Sequence, residues 1–170
     1  MEKIITGKVW VLGDDIDTDV IYPGKYLPIL DPVEMAEHAL EGYSADFPAK
    51  LRRGDVIVAG MNFGSGSSRE QAATCLKSAG VAAIVAGSFA RIFFRNAVNQ
   101  GLPLVQAEVA DRFNDGDEIV INFEEGRIGD TLGNRYPFPR LPESVQAILD
   151  EGGLIPAVRR KLGLTQLSKD

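Results

Sequence analysis

Short unbroken apolar runs alternate along the chain with stretches whose apolar residues recur every three to four positions, and glycine or proline separates the two kinds. Asp55-Val56-Ile57-Val58-Ala59-Gly60 is a run of the first kind, with the length of a buried strand. From Glu70 to Ala79 the residues Ala72, Ala73, Leu76 and Ala79 keep helical spacing, and Gly80 stops the helix. A strand is predicted at 81–86, a helix at 90–99 ended by Gly101, and a further strand at 102–105. Strands joined through a helix form a right-handed parallel crossover, so this centre predicts a parallel sheet. Upstream, 8–12 predicts a strand ended by Gly13. Asp31-Pro32-Val33-Glu34 supplies an N-cap aspartate, a first-turn proline and a first-turn acid for a helix to about Leu40. Downstream the pattern changes to alternation at 118–123, and Glu125-Gly126 turns it into a second short strand, an antiparallel hairpin. Two short helices are predicted at 144–149 and 155–162, around Gly152-Gly153.

These elements make one α/β domain over 1–170: a mixed, partly parallel sheet, an antiparallel hairpin layer, flanking helices, and a C-terminal helical extension from about 141 to 170. At 170 residues the chain is long enough to bury a sizeable core. Its net charge of −6 argues against a phosphate-backbone partner. Arg52-Arg53 and Arg159-Arg160-Lys161 are too short for a nucleic-acid or membrane surface and read as solvated faces. The first seven residues lack the apolar centre of a signal peptide, and no apolar run approaches the ~20 residues of a membrane span. A cytoplasmic location is therefore expected. A single cysteine, Cys75, can make neither an internal disulfide nor an iron–sulfur ligand set, and within its predicted helix it reads as a small buried side chain.

The stretch richest in chemistry is Gly64-Ser65-Gly66-Ser67-Ser68-Arg69-Glu70, where the predicted strand gives way to the helix. Its glycines allow positive φ or close approach of a ligand, the first free N–H groups of the helix favour an anion, and Arg69 offers a planar pair of donors to a carboxylate. Ser67 with Glu70, or Ser68 with Gln71, also fits a capping box, and local pattern alone favours plain capping. Arg69 stands where a dinucleotide loop needs its third glycine, and no Gly-Lys-Ser/Thr follows. A serine-hydrolase elbow fails for want of Gly-x-Ser-x-Gly, and the one histidine, His38, reads as a surface residue of its helix. The aspartates at 14, 15, 17 and 19 begin like a calcium loop, but Val20 and Tyr26 occupy positions that need glycine and glutamate, so turn-capping is the plainer reading. Arg91 and Arg95, four apart, share one helix face and suit acids or a substrate carboxylate. Trp10 and Phe93-Phe94 are core or interface candidates.

Three blocks in order, Asp14-Asp15-Ile16-Asp17-Thr18-Asp19-Val20-Ile21-x-Pro23, then Gly66-Ser67-Ser68-Arg69-Glu70, then Ser88-Phe89-Ala90-Arg91-Ile92, resemble the small subunits of the aconitase superfamily, nearest to those of 3-isopropylmalate dehydratases. The resemblance implies a swivelling domain that works with a large iron–sulfur subunit, as a heterodimer or heterotetramer. It carries no cofactor of its own, since the [4Fe–4S] cluster is expected on the large subunit. By the same resemblance Ser67 is the catalytic base and Asp14 a catalytic group of the acidic loop. Ser68, Arg69 and Gly66 hold substrate, and Tyr26, Leu27, Pro28 and Ile29 meet its side chain. The implied reaction dehydrates and rehydrates a small 2-hydroxy dicarboxylate. The apolar Pro28-Ile29-Leu30 favours an alkyl-substituted malate, isopropylmalate first, as in leucine biosynthesis, with 2,3-dimethylmalate, citramalate or citraconate, and homocitrate as alternatives. A rival of another class is a non-catalytic carboxylate-binding regulatory module using the same loop.

Overall fold

A computed structural model describes residues 1–164. Strand β1 (Ile4–Val11) leads through three short helices, α1 (Thr18–Ile21), α2 (Pro32–Ala36) and α3 (Phe47–Lys50), to β2 (Val56–Ala59). Then follow α4 (Glu70–Ser78), β3 (Ala83–Ala86), α5 (Arg91–Asn99), β4 (Leu104–Gln106), β5 (Glu118–Asn122), β6 (Arg127–Gly129), β7 (Arg135–Pro137), α6 (Glu143–Asp150) and α7 (Leu154–Lys161). The seven strands form one mixed sheet in the order β4-β3-β2-β1-β5-β6-β7.

Strand β1 joins the two halves of this sheet. Residues 9–11 pair in parallel with 56–58 of β2, and residues 4–8 pair antiparallel with 118–122 of β5. The β2–β3 and β3–β4 pairs are parallel, β5–β6 and β6–β7 antiparallel. Successive side chains of a strand point to opposite faces, so an apolar run such as Val56-Ile57-Val58-Ala59 needs cover on both. One face carries Ile57, Ala59, Ile84 and Ala86 against Ala72, Ala73, Cys75, Leu76, Phe93 and Ala97 of the helices. The other carries Val56, Val58, Ala83, Val85 and Val105 in a second cluster with Phe113, Ile119, Ile121 and Ile128. Asp55, buried at the start of β2, accepts hydrogen bonds from Trp10 Nε1 and the Arg52 N–H, both at 2.8 Å, which offsets its desolvation.

Several boundaries differ from the sequence expectation, each for a tertiary reason. The first strand begins at Ile4 instead of 8, because its early half is recruited by β5. The helix expected to reach Leu40 ends at Ala36. Leu40 adopts φ 60° and its N–H donates to Ile21 O at 2.8 Å, which a continuing helix would forbid. The third strand starts at Ala83 because Val81 N–H donates to Leu76 O as a helix stop. Strand β7 and the helices α1 and α3 are additional to those expected. Of the C-terminal extension at about 141–170, α6 and α7 are present, and 165–170 lie outside the described residues.

Candidate active site at the carboxyl ends of the parallel strands

The loops after β1, β2 and β3 leave the same end of the parallel strands, where an open α/β sheet forms its crevice. Backbone bonds tie the first two together: Gly60 N–H to Gly13 O at 3.1 Å, Asp15 N–H to Met61 O at 2.9 Å, Gly64 N–H to Ile16 O at 2.7 Å and Thr18 N–H to Ser65 O at 2.8 Å. The second and third are joined by Gly87 N–H to Gly60 O at 2.9 Å, Phe63 N–H to Ser88 O at 3.0 Å and Ala90 N–H to Phe63 O at 2.9 Å. Ser88 Oγ also accepts from Asn62 N–H at 2.7 Å. Two glycines are forced by this closeness. A Cβ at Gly60 would run into Asp14 Oδ1, and Gly64 combines φ +83° with a Cβ position already filled by the Phe93 side chain.

At the tip of this stitched frame, Gly66, Ser67 and Ser68 are exposed. Helix α4 has Arg69 as its N-cap with no side-chain cap bond, so neither capping box foreseen in the sequence forms. The loop instead closes through Arg69 N–H to Ser67 O at 2.8 Å. With no side chain satisfying them, the first N–H groups of α4 remain for solvent or an anion. That is the setting in which a serine hydroxyl can be stabilised in its ionised form.

Arg69 is half-buried and points back toward the first crossover. Its Nη1 donates to Asp19 Oδ1 at 2.7 Å and to Tyr22 O at 3.1 Å. Asp19 Oδ1 also accepts from Gly24 N–H at 3.0 Å, and the Arg69 and Gly24 bonds hold the Asp19 carboxyl below its ordinary value. The second guanidinium nitrogen, Nη2, faces Gly24, where an added Cβ would approach to 3.2 Å. Arg69 and the loop 24–30 are thus neighbours with one donor edge turned between them.

The four aspartates of the acidic run divide their work. Asp14 Oδ1 accepts from Met61 N–H at 2.7 Å, and Asp15 Oδ1 accepts from Asn62 Nδ2 at 3.0 Å. Asp17 caps α1 through Val20 N–H at 2.8 Å, and Asp19 holds Arg69. It is Asp17, together with Thr18, that lies against Gly66: a Cβ on that glycine would sit 3.6 Å from Asp17 Cβ and 3.4 Å from Thr18 Oγ1. Asp14 sits against Gly60 and Met61. Among the described residues no group of three or more His, Cys, Asp and Glu could hold a metal ion. Cys75 does not suit a cluster: it is fully buried, burial pushes its thiol far up, and its Sγ lies 3.3 Å from Ala72 O as a donor.

The loop 24–30 begins as a 3₁₀ turn at Gly24–Tyr26. Tyr26 and Ile29 are half-buried against the core, while Leu27, Pro28 and Leu30 are exposed, Leu30 by 87 %. Two side chains that support this loop have little local signal. Glu41 accepts from the Tyr26 hydroxyl, and His38, expected on the surface, is half-buried and stacked on the Tyr26 ring. Arg91 and Arg95 are exposed and line a different cleft, of about 390 Å³, with Phe94 and Val98 of α5 and Val145 and Ile148 of α6. Among the described residues no helix is long and apolar enough to cross a membrane.

Comparison with known proteins agrees with this fold. Residues 15–109 match the family described as the aconitase C-terminal domain; the match takes in the loops after β2 and β3 and the first loop from Asp15 onward, with Gly13 and Asp14 outside it. The 3-isopropylmalate dehydratase small subunit 1 of Methanopyrus kandleri is 51 % identical over 163 residues, 95 % of this chain and 96 % of that protein. The methanogen homoaconitase small subunit of Methanothermobacter thermautotrophicus is also 51 % identical, over 91 % of each chain, so overall identity does not choose between their substrates. A crystal structure of 3-isopropylmalate dehydratase from Methanocaldococcus jannaschii superposes with a TM-score of 0.91 at 42 % identity, covering 95 % of this chain and 96 % of that one. With family, near relatives and fold in agreement, this chain belongs to the aconitase C-terminal domain family, as a small subunit of the 3-isopropylmalate dehydratase type.

Proposed function

We propose that the chain supplies the proton-transfer and carboxylate-binding half of a hydro-lyase whose other half is a large iron–sulfur subunit. The observation that carries the reading is the exposed Ser67 beside an uncapped helix N-terminus, two residues from an arginine with one donor edge unused. Ser67 Oγ, ionised and stabilised by those N–H groups, takes a proton from the carbon next to the hydroxyl-bearing one. The C–H electron pair becomes the second bond of an alkene, and the hydroxyl departs from the adjacent carbon. Water re-adds with the opposite placement as Ser67 returns the proton, which moves the hydroxyl by one carbon. Ser68 and Gly66 shape the loop around the reacting centre, and Arg69 receives a substrate carboxylate on Nη2 and Nε. Asp14 braces the frame through Met61. Assistance to the departing hydroxyl is Lewis-acid work, which an iron–sulfur partner supplies when the two subunits are joined.

Substrate choice falls to the loop 24–30. A third carboxylate calls for a cation close behind Tyr26-Leu27, and Pro28 stands there instead. Exposed Leu27, Pro28 and Leu30 suit a branched alkyl substituent, so 2-isopropylmalate is the proposed substrate, ahead of 2,3-dimethylmalate and citramalate, with homocitrate last. The test is anaerobic reconstitution with a co-expressed large subunit, following alkene absorbance on these four substrates. Preferential turnover of 2-isopropylmalate, with both chains required, is the expected result. Carboxylate binding without turnover in a stable, cluster-loaded complex would favour the regulatory-module reading instead.

A further inference from the structure

Tyr26 is gripped at three points, all of them from outside its own loop. Its ring stacks on the His38 imidazole, with centroids 3.6 Å apart and planes inclined by 14°. Its hydroxyl donates to Glu41 Oε1 at 2.6 Å, and the other oxygen of that carboxylate, Oε2, lies 2.6 Å from His38 Nδ1. One carboxylate therefore closes a ring of contacts through a stack and two short polar bonds. From below, the fully buried Tyr22 donates its hydroxyl to Tyr26 O at 2.7 Å. The side chains of His38 and Glu41 are only 24 % and 23 % exposed, so these bonds are partly shielded from water. Consistent with that, the Tyr26 and His38 bonds hold the Glu41 carboxyl below its ordinary value, while the Glu41 carboxylate raises the Tyr26 hydroxyl.

The grip reaches a useful place. Leu27 and Pro28, the next two residues, are exposed, and Gly24, two residues before Tyr26, shares Asp19 with Arg69. The turn that carries Glu41 is itself clipped to α1 by Leu40 N–H to Ile21 O at 2.8 Å, and α1 contains Asp19. The apolar tip of the loop and the carboxylate-binding arginine are consequently referenced to one short helix.

We infer that Glu41 and His38 are positioning residues for substrate selection, clamping Tyr26 so that Leu27 and Pro28 meet the substrate's alkyl substituent at a set distance from Arg69. The inference rests on the hydro-lyase reading and adds two residues to it. A loop fixed in advance loses little freedom on binding and rejects a substituent of the wrong size by shape. Neither residue touches the reacting atoms, so the clamp acts on binding and leaves the proton transfer at Ser67 alone.

The test uses the reconstituted two-subunit enzyme with 2-isopropylmalate and citramalate, measuring kcat and KM for each. Glu41→Ala is expected to raise KM for 2-isopropylmalate by about tenfold with kcat changed less than about threefold, the loss of one charge-assisted bond's worth of ordering. The preference for 2-isopropylmalate over citramalate should shrink with it. Glu41→Gln, still an acceptor for the Tyr26 hydroxyl, is expected to recover most of the KM. Tyr26→Phe combined with Glu41→Ala should be no worse than Glu41→Ala alone, because both remove the same bond. An equal fall of kcat on both substrates with KM and preference unchanged would mark a merely structural role and overturn the inference. Should Glu41→Ala fail to assemble with the large subunit, Tyr26→Phe, which removes the same hydroxyl bond, decides the matter by the same preference ratio. A wild-type complex silent on every substrate would overturn the hydro-lyase reading itself; an active wild type with an unchanged preference in Glu41→Ala and Tyr26→Phe would overturn the clamp alone.

Discussion

The loops 64–69 and 24–30 face the same corner of the molecule and are built in opposite ways. In the first, the backbone is fixed from behind by the β1 and β3 loops while its tip is left unsatisfied: exposed serines, an uncapped helix start, a guanidinium with a spare edge. In the second, the polar groups of Tyr26 are consumed by Tyr22, Glu41 and His38, and what the loop shows to solvent beyond Lys25 is apolar: Leu27, Pro28 and Leu30. Under the proposed function the contrast separates two tasks. Stabilising developing charge needs donors held ready without partners of their own, whereas sorting alkyl groups needs a stiff apolar wall with no polar group left to misplace.

Changes that break one loop should leave the signature of the other intact. Gly64→Ala forces a side chain into positive φ and into the Phe93 ring, and is expected to cost about 3 kcal/mol of stability, read by denaturant unfolding, with the loop 64–69 displaced from its frame. Arg69→Lys replaces a planar fork by a point charge and should lower kcat/KM roughly a hundredfold, mostly through KM, without altering the order of substrate preference. Pro28→Arg is the converse: about a tenfold loss on 2-isopropylmalate and a gain on homocitrate, measured as a ratio of kcat/KM, because a third carboxylate acquires a partner. The mildest effect is electrostatic. Asp19 has its pKa lowered from the ordinary 3.8 by Arg69 and Gly24, so its stabilising contribution is complete above the unfolded value and is lost only as pH falls through the lower folded one. A carboxyl-carbon NMR titration should give an Asp19 midpoint below 3.8, and the Arg69→Lys change should move it upward.

The parallel centre of the fold was legible because β2 and β3 are continuous buried runs, each ending just before a glycine. The early half of β1 was not, since Ile4-Ile5-Thr6-Gly7 acquires its strand character from β5, far off in sequence. Strand β7 is three residues long with one half-buried side chain, too little pattern to read. At the site, Ser67, Ser68 and Arg69 stand out as candidates by their motif, and the neighbourhood of Arg69 to the loop 24–30 follows from Asp19, which no local rule singles out among four aspartates. His38 was misread because helical periodicity put it on a surface that the loop 24–30 then covers, and Glu41 meets Tyr26 only because the helix stops at Ala36 and the chain turns back through Leu40. Such contacts depend on where a helix ends, which is the boundary that sequence specifies least well.

The measurement closest to the central claim is Ser67→Ala in the anaerobic complex with the large subunit, at saturating 2-isopropylmalate, with complex formation and cluster content checked. The account expects kcat for alkene formation to fall roughly a thousandfold with the complex intact, the scale of a lost general base. An unchanged rate in that intact complex would contradict it and leave the loop 64–69 a carboxylate holder with the base elsewhere.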